Sequence, residues 1–208
     1  NAVLEVNIKE KFAWVEPGIV RDELNASLEI HRLHFAPDPA TTSRATVGGM
    51  IANNSSGTRS ILYGKTLDHV LELEILLISG ETIYCENVNL AQLEKKCELQ
   101  TKEGEIYRKL IQIISIHEEE INARFPKVMR RVGGYNLDEF LSDEINLSKL
   151  IIGSESSLAI ITRAKIKLEP LPNEQASCVV HFDDFFKGLD QVSTMVAHQP
   201  ASVELLDD

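Results

Sequence analysis

Hydrophobic and polar positions alternate with two different periods along the chain. Phe12-Ala13-Trp14-Val15 is a short apolar run closed by Pro17-Gly18, which predicts a strand ended by a turn. Val20, Leu24 and Leu28 recur at fourfold spacing and predict a helix over residues 19–30. Residues 69–79 are apolar with β-branched positions and are followed by Gly80-Glu81 and Thr82-Ile83-Tyr84-Cys85, a strand–turn–strand pattern that predicts a hairpin. Helical spacing returns over 90–99 and 105–123. In the second stretch Ile106, Leu110, Ile113, Ile114 and Ile121 share one side, and the acidic run Glu118-Glu119-Glu120 reads as a solvated face. Strands are expected at 149–152, 158–168 and 177–182, and a last helix over 185–198. Strands and helices mix without regular alternation. The fold class is therefore α+β, a mainly antiparallel sheet flanked by helices, rather than a doubly wound parallel sheet.

The long irregular stretch from His34 to Leu67 interrupts this pattern. It holds Pro37, Pro39, Gly48, Gly49, Gly57 and Gly64 among many Ser, Thr and Asn residues. A segment of this length without periodicity inside a domain is usually functional. Thr46 is a workable N-cap for a short helix starting at Val47. If a helix begins at the glycine pair Gly48-Gly49, its free N–H groups would favour an anion such as a pyrophosphate. A glycine-rich turn with Asn caps explains the same residues equally well. A second candidate is Gly153-Ser154-Glu155-Ser156-Ser157 between two strands, where a carboxylate could accept bonds from a ribose or a ring N–H; a plain turn with an exposed Glu explains it too.

Composition narrows the partners. The 208 residues carry a formal net charge of −11, which disfavours nucleic acid. No apolar run approaches the roughly 20 residues of a membrane span, and the mixed opening residues show no signal peptide. Cys85, Cys97 and Cys178 lie far apart without CxxC spacing, which suggests reduced thiols in a cytoplasmic protein. The six histidines show neither HxH nor HxxxH spacing, so no metal site is expected and each reads as a surface or satisfied core residue. GxGxxG, GxxxxGK[ST] and GxSxG are absent, which leaves Rossmann, P-loop and serine-hydrolase readings unsupported.

Several of these stretches, in order, resemble a known family. They are Val15-Glu16-Pro17-Gly18, then Phe35-Ala36-Pro37-Asp38-Pro39, then the run from Thr46 to Gly57, then Tyr63-Gly64-Lys65-Thr66-Leu67-Asp68-His69-Val70, and finally Gly153 to Thr162 with Pro170-Leu171-Pro172. The set is similar to the FAD-linked oxidases of the vanillyl-alcohol-oxidase type, in the branch holding glycolate oxidase, D-lactate dehydrogenase and D-2-hydroxyglutarate dehydrogenase. The likeness implies FAD as cofactor, with Pro37, Asp38, Thr46, Gly48, Gly49, Asn53, Asn54 and Gly57 as contacts, and Glu155, Ile160 and Ile161 along the adenosine end. Tyr135 and Asn136 resemble a substrate-side stretch.

By the same likeness, residues 3–202 are expected to be the second subdomain of the FAD-binding domain, with an N-terminal Arg-Gly-Gly-Gly-Thr-type loop and its subdomain lying before this chain. Residues 203–208 would open a truncated substrate domain that carries the catalytic residues. The implied reaction is oxidation of a small D-2-hydroxy acid by hydride transfer to flavin. Another alcohol or sugar-type substrate, or a binding module without cofactor, are the alternatives. The resemblance is nearest to large members fused to an iron–sulfur segment, so an iron–sulfur acceptor and membrane association through partners are further expectations. One departure stands out: Ser156-Ser157 occupies the place of the family's Gly-Thr.

Overall fold

A computed structural model describes residues 1–142 and 144–206. In chain order the elements are β1 (Val3–Asn7), β2 (Phe12–Val15), α1 (Arg21–Leu28), β3 (Leu33–His34), α2 (Val47–Asn53), α3 (Ser60–Tyr63), β4 (Val70–Leu76), β5 (Thr82–Cys85), β6 (Asn87–Val88), α4 (Leu90–Glu98), α5 (Lys102–Arg124), β7 (Ile145–Asn146), α6 (Ser148–Ile151), β8 (Ile160–Lys167), β9 (Glu169–Pro170) and α7 (Phe185–Val196). The main sheet runs β1-β2-β8-β4-β5, and every pairing in it is antiparallel. The α+β expectation and the hairpin at Gly80 are therefore both met.

Side-chain alternation explains which face of the sheet is covered. Ala13 and Val15 on β2, Leu73 and Ile75 on β4, and Ala164 and Ile166 on β8 point one way and are buried. Leu24 and Leu28 of α1 and Val47, Met50 and Ile51 of α2 belong to the same core. The opposite face carries charged rungs: Lys165 Nζ meets Glu72 at 2.5 Å, and Arg163 Nε lies 3.8 Å from Glu74. Helix α5 begins three residues before the apolar stripe suggests. The Thr101 hydroxyl accepts the Gly104 N–H at 3.4 Å and sets the start. Glu118, Glu119 and Glu120 are exposed, as the solvated-face reading requires.

Two of the expected strands do not form. Residues 149–152 are not a strand; most of them form the turn α6, entered through Asn146 Oδ1, which accepts the Ser148 N–H at 2.9 Å. A short apolar run such as Leu150-Ile151-Ile152 suits a buried helical turn as well as a strand. Residues 177–182 form no strand either: β propensity is present, but no neighbouring strand pairs with them among the described residues, and Val179 is 76% exposed. In the other direction, Val3–Asn7 is a strand that its short, mixed pattern did not announce. The expected opening of a next domain at 203–208 falls partly on residues 207 and 208, which lie outside the described residues.

Two histidines are core residues. His34 and His69 are 4% and 2% exposed, and both rings lie close to the chain at Tyr63. His69 Nε2 is 2.7 Å from the Tyr63 carbonyl, and the His34 ring meets the Tyr63 ring edge-on at 5.5 Å. His34 Nε2 and His69 Nδ1 are buried without a partner, so these two are not the satisfied core histidines expected.

Candidate functional site

Helix α2 forms for the local reason foreseen: the Thr46 hydroxyl accepts the Gly49 N–H at 3.2 Å. Its first-turn amides nevertheless do not face open space. Val47 N–H donates to Ile19 O (2.9 Å), Gly48 N–H to Pro17 O (2.7 Å) and Met50 N–H to Thr46 O (2.9 Å). The expectation that amides at the glycine pair would hold a diphosphate is thus corrected, because the turn before α1 already uses them. Gly48 is needed for that docking: a Cβ there would lie 2.6 Å from Pro17 Cβ. Gly49 is exposed, and a Cβ there would meet only Thr46 Oγ1, at 3.1 Å.

The remaining expected residues fall into two connected groups. The first gathers around the end of α2. Asn53 is exposed on its last turn, while Asn54 is fully buried in a left-handed conformation (φ 49°) and its Oδ1 accepts the Leu67 N–H at 2.9 Å. Glu155 joins this group: Gly153 N–H donates to Ile51 O (3.0 Å) and Glu155 N–H to Ala52 O (3.0 Å), which stitches the 153–157 turn onto α2. The second group is Pro37, Asp38 and Gly57. The Pro37 carbonyl accepts Arg21 Nε at 3.1 Å. Asp38 Oδ1 accepts the Arg59 N–H at 3.3 Å, and Gly57 is pressed onto Asp38 so closely that a Cβ would lie 2.0 Å from its carbonyl oxygen. Ile160 and Ile161 open β8, opposite Leu76 and Ile75, and Ile160 is 64% exposed.

Tyr135 and Asn136 separate in their roles. Asn136 is 1% exposed and its Nδ2 donates to Ile152 O (2.7 Å) and Lys149 O (3.1 Å), so it braces the fold. Tyr135 is open and its hydroxyl is 3.0 Å from Ser157 Oγ, which ties its loop to the 153–157 turn. Arg130 borders this arrangement, bonded to Gly57 O, and nothing in the sequence marked it beyond the nearby glycines at 133 and 134. Glu155 (φ 50°) and Ser156 (φ 62°) are consecutive left-handed residues, a conformation that suits glycine. Ser156→Gly is expected to raise stability by about 0.5–1 kcal/mol, because relief of strain exceeds the added chain entropy. A urea midpoint that stays level or falls would refute this.

One wall results. Gly49, Asn53, Glu155, Ser156, Ser157, Tyr135, Leu158 and Ile160 are exposed, polar at the α2 end and apolar toward β8. It suits one side of a long ligand with polar and apolar ends. Two hollows, of about 250 Å³ beside His69 and about 520 Å³ beside α7, are lined by other residues. Among the described residues no three His, Cys, Asp or Glu side chains gather as metal ligands, and no helix is long and apolar enough to cross a membrane.

Residues 1–86 match the family model described as FAD binding domain. With this fold and wall, the chain is similar to FAD-linked oxidoreductases that carry such a domain. Within that class it is 38% identical over its whole length to D-2-hydroxyglutarate dehydrogenase of Pseudomonas putida and 34% to that of Escherichia coli, spanning 21% of each. It is 26% identical to glycolate oxidase subunit GlcD of Bacillus subtilis, again over the whole chain and over 34% of that protein. The chain thus spans about a fifth of the length of the dehydrogenases it matches. A solved structure of alkyldihydroxyacetonephosphate synthase shares the fold, with a TM-score of 0.52 and 24% identity over 84% of this chain and 22% of that one.

Proposed function

We propose that this chain is one wall of the flavin site in a dehydrogenase that oxidises a small D-2-hydroxy acid. The observation that carries the reading is the stitching of the 153–157 turn onto α2 by Gly153 N–H and Glu155 N–H. It brings the two segments expected to contact FAD onto one open face. The similarity to D-2-hydroxyglutarate dehydrogenases along the whole chain supports the substrate class. Bound FAD supplies the two-electron redox chemistry; the protein positions it and tunes its surroundings. Gly49 leaves bare backbone for close approach, the Asn53 amide can both donate and accept, and Glu155 can accept from a ribose hydroxyl. Leu158 and Ile160 offer apolar surface to one end of the ligand. Asp38 and Gly57 act at one remove, by fixing the loop after α2. The base that takes the hydroxyl proton, an iron–sulfur acceptor and the domain division near residue 203 belong to the same proposal and rest on the family likeness.

An open wall without free first-turn amides holds a dinucleotide poorly. Titrating the 208-residue chain with FAD is therefore expected to give no stoichiometric complex and no turnover of D-lactate, glycolate or D-2-hydroxyglutarate. The full-length protein is expected to carry FAD and to reduce a dye with one of these acids. A flavin-free full-length protein, or one inert toward every 2-hydroxy acid, would refute the reading.

A further inference from the structure

Arg130 lies between α5 and Tyr135, and its guanidinium rests on the loop that follows α2. Nη2 donates to Gly57 O at 2.8 Å, and Nε is 3.4 Å from Ser56 Oγ. These contacts orient the planar head without neutralising it. Neighbouring arginines do find carboxylates: Arg131 meets Asp138 at 2.5 Å, and Arg59 lies 3.5 Å from Asp38. Among the described residues Arg130 has no such partner, although the chain holds 32 acidic residues against 21 basic ones. Its remaining N–H groups have no partner among the described residues; Arg32 and Arg108 are likewise held by carbonyls without an ion pair, and what sets Arg130 apart is where it lies. Its place is specific. The 55–57 loop it rests on follows directly on the end of α2, the same end to which the 153–157 turn is bonded through Glu155 N–H and Ala52 O.

We propose that Arg130 is an anion-binding residue of the flavin wall, taking either the carboxylate of the 2-hydroxy acid or a phosphate of the cofactor. The inference rests on the functional reading above. A guanidinium fixed in this way offers paired N–H donors that match two oxygens of a carboxylate or phosphate, which an ammonium cannot reproduce.

The test uses full-length protein as wild type, Arg130→Gln and Arg130→Lys. Bound FAD and FAD affinity are measured, along with the steady-state oxidation of D-lactate and of its uncharged amide. If the anion is the substrate carboxylate, Arg130→Gln raises KM for the acid about tenfold or more. FAD content and the kinetics of the amide stay unchanged, and lysine restores part of the loss. If the anion is a cofactor phosphate, FAD affinity falls by a similar factor and KM for the acid in saturating FAD does not move. Unchanged FAD affinity with unchanged acid kinetics overturns the proposal. So does an equal loss toward acid and amide with FAD retained, because that is the mark of a residue that only braces its loop. If wild-type protein oxidises no 2-hydroxy acid, the functional reading fails separately, and FAD affinity alone decides: an Arg130→Gln protein that binds FAD like wild type ends the proposal.

Discussion

Acidification from pH 7 to pH 4 is expected to cost the protein about 3 kcal/mol of folding stability through His34 alone. Burial pushes this imidazole down from 6.5 to about 4, with the charges of Arg21 and Arg59 acting the same way and Glu169 opposing them. A depressed histidine pKa means that the fold binds fewer protons than the unfolded chain. Stability from this group is complete above about 6.5, falls as the pH drops through the interval, and levels off below about 4. Roughly 2 kcal/mol of the loss is already present at pH 5. His69 moves in the same direction, chiefly by burial and against the pull of its bond to the Tyr63 carbonyl, and so steepens the fall. Carboxylates contribute mostly below this window, since their ordinary values lie near 4. Urea midpoints at pH 7, 6, 5 and 4 for wild type and His34→Phe separate the terms. The variant should lose about 2 kcal/mol less between pH 7 and pH 5. Parallel curves for the two proteins would show that His34 is not held neutral by the fold.

That prediction could not have been drawn from the sequence, and the reason is general. Local patterns announced the hairpin at Gly80, the cap at Thr46 and the helix α5, because each depends on residues a few positions apart, although on α5 Ile113 is exposed and the unforeseen Tyr107 is buried. Burial of His34 and His69 depends instead on Tyr63 and on the pairing of His34 with Glu169 across β3 and β9. The α2 amides follow the same rule. Thr46 predicted the helix, but whether its amides would be free depended on where Pro17 and Ile19 lie, and they lie against it. Similarly, Val179 and Val180 favour a strand but have no neighbouring strand to pair with among the described residues, while Leu150 to Ile152 are apolar enough for a strand and most of them form a turn. The motifs pointed to the segments of the proposed site. They could not distinguish residues that face outward, such as Asn53 and Tyr135, from those that brace the fold beneath, such as Asn54 and Asn136.

Gly57 shows the bracing role most sharply, and Gly57→Ala is expected to cost about 3 kcal/mol. A Cβ would lie 2.0 Å from the Asp38 carbonyl oxygen and 2.2 Å from its Oδ1, far inside contact distance. The Asp38 carboxylate could turn aside but its backbone carbonyl cannot, so the loop must separate from Asp38. That movement also weakens the bonds of Asp38 to Arg59 N–H (3.3 Å) and Thr58 Oγ1 (3.4 Å) and shifts the carbonyl that Arg130 uses. Gly133 provides the contrast, because a Cβ there meets nothing within 4 Å. Gly133→Ala should leave stability within about 0.5 kcal/mol of wild type. Chemical denaturation of the two variants checks the pair, and flavin retention in the full-length protein should fall for Gly57→Ala and hold for Gly133→Ala. If Gly57→Ala were as stable as Gly133→Ala, the loop after α2 would have room that the contact with Asp38 denies, and its part in shaping the proposed cofactor wall would have to be given up.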